Sequence, residues 1–159
     1  MNEEHLKRLV VQGMNALKAG CDTAQRAQDG MLQAASHPDL KSTLEQGQKA
    51  TGQWRERIER ALSTMGGDGD GPNDNPVQEA LYEEEKRIRD SAPDDASRDL
   101  GIVAAGQQAL HYWIASFGTM GAYAKRLGLS DVAEDMHACV EEAKRADETH
   151  NELATSIMR

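Results

Sequence analysis

QQALHYWIASFGTMGAYAKRLG, residues 107–128, is the stretch whose reading decides the fold. Leu110, Ile114, Phe117 and Ala124 fall on one face at helical spacing, and Leu100 and Val103 extend that stripe upstream. No alternation of period two interrupts it, and Gly128 suits the residue just past a helix end. The spacing predicts a helix over about residues 95–127. The same stretch raises a chemical question. The chain has only 2 Trp, 3 Tyr and 1 Phe, yet this helix holds Trp113, Phe117, Tyr112, Tyr123 and His111.

Working outward, three more long stripes appear. Val10, Met14, Leu17, Cys21, Ala24, Met31 and Ala35 recur in steps of three and four or their sum, with Gln28 in the one polar slot, and predict a helix over about 3–35. His37-Pro38 ends it, because the residue before proline avoids the helical region. Pro38 suits the first turn of the next helix, with His37 or Ser36 as cap. Leu40, Leu44, Gly47, Thr51, Trp54, Ile58, Ala61 and Met65 then stripe a helix over about 38–65. Beyond residue 128, Ser130 reads as the cap of a last helix, about 130–157, with Glu134 near a capping-box position. Its stripe is Val132, Met136, Cys139, Ala143, Ala146, His150, Leu153 and Ile157. Met14, Met31, Met65, Met120 and Met136 keep helical spacing and read as gap-filling core.

Between the second and third long helices lies the one long connection. It opens with GGDGDG at 66–71, where Asp68 to Asp74 superficially suggests a calcium loop. Pro72 interrupts the pattern and no glutamate holds the twelfth position, so the run reads as a solvated linker. Asn75-Pro76 then reads as a cap and first helical residue of a short helix, about 76–91, with Val77, Ala80, Leu81 and Ile88 as a thin apolar face. Glu83, Glu84 and Glu85 followed by Lys86, Arg87 and Arg89 suit the helix dipole.

Four long amphipathic helices and one long crossover carrying a short helix predict an all-α, ferritin-like four-helix bundle in up-down-down-up order, within one domain spanning 1–159. The formal net charge of -9 disfavours nucleic acid and anionic membranes. No apolar run approaches the roughly 20 residues of a membrane span. The acidic start without an apolar signal core points to a cytoplasmic protein. Cys21 and Cys139 stand far apart without metal-ligand spacing and read as small buried hydrophobes, with a disulfide or redox pair as the other reading. No phosphate loop, nucleophile elbow or zinc-protease signature is present.

Several phrases resemble a known group. SHPDLKSTLE at 36–45, Thr51, ERIE at 56–59, His111-Tyr112, GTMGAYAKRLG at 118–128, and Glu141-Glu142 followed by Lys144 and Asp147-Glu148 are similar to the YciE/YciF group of bacterial ferritin-like proteins, in order and over nearly the whole chain. The resemblance implies a stress-response context, a homodimer and no settled activity. It also implies a place for a dinuclear metal site, since group members put acidic residues on the inner faces of all four helices and relatives can bind iron or manganese.

At the matching positions this chain carries Cys21 (beside Asp22), Lys49 with Ala50, Trp54, Leu110, Trp113 and Ala143, while Asp147 survives. One carboxylate and the neighbouring His111 fall short of the roughly four to eight donors a di-metal site wants. Swapping the set for Leu, Trp and Ala avoids stranding like charges in the core. The aromatic helix therefore reads as a metal-site helix rebuilt as core, with neither catalytic residues nor metal or cofactor, in a structural or interaction protein. Two other readings stand beside it. One is an oxidase-like or metal-binding relative with a reduced site drawn from Asp147, His150, Cys21, Asp22 or His111. The other is a small-ligand binder that uses the Trp-lined interior. His111 and His150 read as hydrogen-bonded structural side chains; His5, His37 and His137 read as terminal, capping or outward.

Overall fold

The computed structural model describes residues 2–67 and 71–159. Residues 68–70, on which the calcium-loop and linker readings fall, lie outside the described residues. Five helices follow one another: α1 Glu3–Ala34, α2 Pro38–Thr64, α3 Pro76–Ser91, α4 Asp95–Arg126 and α5 Ser130–Ile157. No strand occurs among the described residues. The all-α reading is borne out.

Local chemistry places most of the helix ends. Asn2 Oδ1 accepts from Glu4 N at 2.9 Å, and His37 Nδ1 accepts from Asp39 N at 3.2 Å. Asn75 and Asp94 cap α3 and α4, each accepting from the amide three residues on. Each cap occupies an orphan donor of a first turn. Gly128 takes φ +73°, and Leu129 N donates to Ala124 O at 3.0 Å, closing α4 as a glycine-terminated end. The capping reading at Ser130 is corrected here. The left-handed turn at Gly128 brings the chain into helical register one residue early, so Leu129 is the cap residue and no side chain caps α5.

α1 and α2 form one antiparallel hairpin, α4 and α5 the other, with α1 beside α4 and α2 beside α5. The direction of the second hairpin follows from a clamp at its start. Buried Asp99 accepts Ser36 N at 2.9 Å and His37 N at 2.7 Å. Arg98 donates to Ala34 O at 2.9 Å and Ser36 Oγ at 3.0 Å. The beginning of α4 thus sits at the beginning of α2, so those two helices run the same way. Up-down-down-up order results, and the crossover must climb the length of the bundle. α3 covers part of that climb, packed against α1 and α4.

α3 presents a different face from the one expected. Gln78, Tyr82 and Glu85 are buried, whereas Val77 and Ile88 are 54% and 40% exposed. The anchor is Asn75, whose Nδ2 donates to Ala16 O and Tyr112 Oη, both at 2.8 Å. With the helix start fixed, rotation is fixed too, and the apolar positions turn outward. Gly20 permits this approach, since a Cβ there would meet Asn75 Nδ2 at 2.7 Å and Trp113 Cη2 at 3.0 Å.

One contiguous core joins all five helices. The stripes of α1, α2, α4 and α5 point into it nearly as read, and the five methionines expected there are all buried.

Candidate functional site

At mid-bundle, α2 and α4 contribute a three-ring cluster. Trp54 lies 5.7 Å from Trp113 and 5.3 Å from Phe117, the latter edge-on, while Trp113 and Phe117 stack at 5.3 Å and 17°. Trp113 and Phe117 are four residues apart on one helix, so a single face presents both rings. All three are essentially inaccessible to solvent. Gly20 meets the far edge of Trp113, which puts Cys21 at the same level on α1.

A polar chain flanks the rings. Trp54 Nε1 donates to Glu142 Oε2 at 2.8 Å, and Arg57 grips both oxygens of Glu142 at 2.8 and 2.9 Å. Arg57 also donates to Cys139 Sγ at 3.4 Å. The Arg57 guanidinium, aided by the indole N–H, holds the Glu142 carboxyl below its ordinary range despite partial burial. Both cysteines are free and buried. Burial pushes the Cys139 thiol up to about 11 against a weaker opposing pull from Arg57, and pushes Cys21 higher still. Protonated thiols are poor nucleophiles and poor metal ligands, and both side chains sit in the core as small hydrophobes.

The remaining sequence candidates disperse. Asp22 accepts from Arg55 Nε at 2.8 Å, and Arg55 also pairs with Glu59. His111 is largely exposed and reaches Asp147 Oδ2 at 3.4 Å. Asp147 and His150 do not form the pair their spacing allowed. His150 turns Nδ1 onto Ala146 O at 2.7 Å, while its other edge packs on Gly106, where a Cβ would come within 2.6 Å of Nε2. Burial holds this imidazole below its ordinary range. Leu110 and Ala143 are buried beside the rings, but Ala50 is only half-buried.

No group of three or more His, Cys, Asp or Glu among the described residues is arranged to hold a metal ion. The donor chemistry disagrees with a di-metal centre on its own account. The carboxylate nearest the rings, Glu142, already accepts three hydrogen bonds, and burial disfavours the thiolate form of both cysteines. These residues do not fit the group.

Glu142 and Arg57 escaped the sequence reading as a site. Each lies beside an apolar stripe, Arg57 three residues after Trp54 and Glu142 one before Ala143. Their charges become a pair only when α2 and α5 are known to be neighbours.

Adjoining the rings is a cavity of about 310 Å³, walled by Trp54, Trp113, Tyr82, Met31, Leu44 and Leu110. Exposed Gln46 of α2 and exposed Arg145 and Thr149 of α5 also line it, so its mouth opens between those two helices.

Two antiparallel hairpins joined by a long crossover, with a site level at mid-bundle, define a ferritin-like protein. A ferritin-like diiron-carboxylate protein from Bacillus anthracis str. Ames shares that fold at TM-score 0.72 and 16% identity, over 97% of this chain and 99% of that one. The chain belongs to the family described as a domain of unknown function, DUF892, whose model matches residues 8–159, and it is of the YciE/YciF type. Protein YciF of Escherichia coli (strain K12) is 35% identical over 78 residues, a match covering 49% of this chain and 47% of YciF. The crystal structure of the E. coli stress protein YciF superposes with TM-score 0.87 at 23% identity, covering 96% of both chains. YcfI from Rhodopseudomonas palustris, described as a candidate structural protein, superposes with TM-score 0.86 at 25% identity, over 95% of this chain and 94% of that one.

Proposed function

We propose that this chain is a non-enzymatic ferritin-like protein whose di-metal site has been replaced by core, and that it serves as a structural or interaction protein in a bacterial stress response. The observation that carries this reading is the Trp54–Trp113–Phe117 cluster with its Trp54–Glu142–Arg57 bridge. Rings occupy the volume where a metal layer would need converging carboxylates. The one carboxylate at hand is committed to two protein donors. The stress context is supported by the naming of YciF as a stress protein, and the structural role by the description of YcfI.

Elemental analysis of protein purified without chelator tests it, alongside thermal melts with and without iron(II), manganese(II) and zinc(II). Less than a tenth of an equivalent of metal, and a melting temperature indifferent to the additions, are expected, because only an ion that binds the folded state stabilises it. Two ions per chain at mid-bundle would overturn the reading. A single ion on Asp147 would transfer it to the reduced-site alternative.

A further inference from the structure

We infer that the cavity between α2 and α5 is a binding site for a small apolar monocarboxylate, with the apolar body against Trp54, Trp113, Tyr82 and Leu44 and the carboxylate at Arg145. Volume sets the size of the guest. A dry apolar cavity of about 150 Å³ holds one benzene, so about 310 Å³ suits an eight- to ten-carbon chain or two fused rings. The walls supply the affinity, because Trp54, Trp113, Tyr82, Met31, Leu44 and Leu110 outweigh the few polar side chains among them, Gln28, Thr51 and His150.

Charge at the mouth selects the head group. The lining contains one acid and one permanent cation, Glu142 and Arg145. Glu142 is already gripped by Arg57 on both oxygens and by the Trp54 indole. A cationic guest would have to displace those donors. Arg145 accepts from Thr149 Oγ1 through its backbone carbonyl and feels the charges of Glu141 and Glu142. Its guanidinium makes no hydrogen bond or ion pair among the described residues, so its fork of N–H donors is open to a carboxylate. Thr149 and Thr43 add hydroxyls at the same rim. His150, neutral and with Nδ1 turned to Ala146 O, contributes no competing charge. The net charge of -9 does not decide the matter, since fields from the far surface are screened within about 8 Å at physiological salt.

Trp54 and Trp113 are the only tryptophans, so the site reports on itself. Tryptophan fluorescence of the full chain is titrated with octanoate, 1-octanol and octylamine, all transparent at the exciting wavelength. Octanoate is expected to saturate at one molecule per chain and to bind about three- to tenfold tighter than octanol, with octylamine weakest. Arg145→Gln, a substitution of an exposed residue, should erase the preference for octanoate while leaving octanol binding in place. Ala50→Phe and, separately, Ala146→Phe place a ring into the cavity from α2 and α5. At least one should remain helical and lose all three ligands. Octylamine binding as tightly as octanoate, an unchanged preference in Arg145→Gln, the absence of saturable octanoate binding, or full binding in both filled variants would each overturn the assignment.

Discussion

Trp113 shows how firmly a single residue can be built into the core. It is stacked on Phe117, tilted against Trp54 and pressed on Gly20, and it is almost fully buried. Trp113→Glu strands a carboxylate with no cation within the ring cluster. It should lower stability by about 4 kcal/mol, measured by urea unfolding at neutral pH. A change below about 1 kcal/mol would mean that the layer tolerates a buried carboxylate. His150 gives the pH counterpart. Its folded state prefers the neutral ring, so the unfolded chain takes up the proton first as pH falls below the ordinary value of 6.5. The stability contributed by the buried neutral ring is therefore present above that pH and lost below it. Glu142 adds to the loss at lower pH, since its depressed carboxyl contributes only above the ordinary carboxylate range. His150→Leu should flatten the stability profile just below pH 6.5 and leave the carboxylate-driven fall at more acid pH; melts in a pH series read both.

At the scale of the element, α3 separates what periodicity reveals from what it hides. Its existence and its start were legible, because Asn75-Pro76 is a local signal and local signals survive without tertiary context. Its inward face was not. The apolar set of Val77, Ala80, Leu81 and Ile88 is real, but Asn75 docks on α1 and α4 and turns that set outward, leaving Gln78, Tyr82 and Glu85 inside. Glu85 meets Arg89 at 2.8 Å, yet burial still raises its carboxyl above the ordinary range. Gln78 is fully buried, and neither end of its amide finds a partner among the described residues. Replacing an unpaired buried amide by an apolar side chain of similar length removes a desolvation cost of about 1–3 kcal/mol. Gln78→Met should therefore raise the unfolding free energy by about 1 kcal/mol. A loss instead would show that the amide is satisfied by water. The clamp at the other end behaves oppositely. Asp99→Ala frees two amides of the α1–α2 turn and should cost about 3 kcal/mol by the same unfolding measurement.

For the whole molecule, four long stripes and the position of the crossover were enough to fix the architecture, since stripes of that length bury well only in a bundle. The site was half legible. Trp54, Leu110, Trp113 and Ala143 stood out as apolar residues at positions where the family resemblance implies acids. Glu142, Arg57 and the cavity depend on α2 lying against α5, a contact between segments some 85 residues apart that no local pattern encodes. The same molecule-scale logic bears on assembly. A helix that spends its inner face on Gln, Tyr and Glu leaves exposed Val77, Ala80 and Ile88 on one outer stripe. An apolar stripe on a helix already anchored at its start is a ready isologous surface, because a two-fold axis lets the stripe cover its own copy. We propose that the chain pairs through this face. Light scattering at micromolar concentration should return twice the chain mass of 17.4 kDa. The double substitution Val77→Glu and Ile88→Glu should return the single mass with helicity unchanged. A wild-type chain that scatters as 17.4 kDa would remove the dimer, and a double variant that remains paired would move the contact to another face.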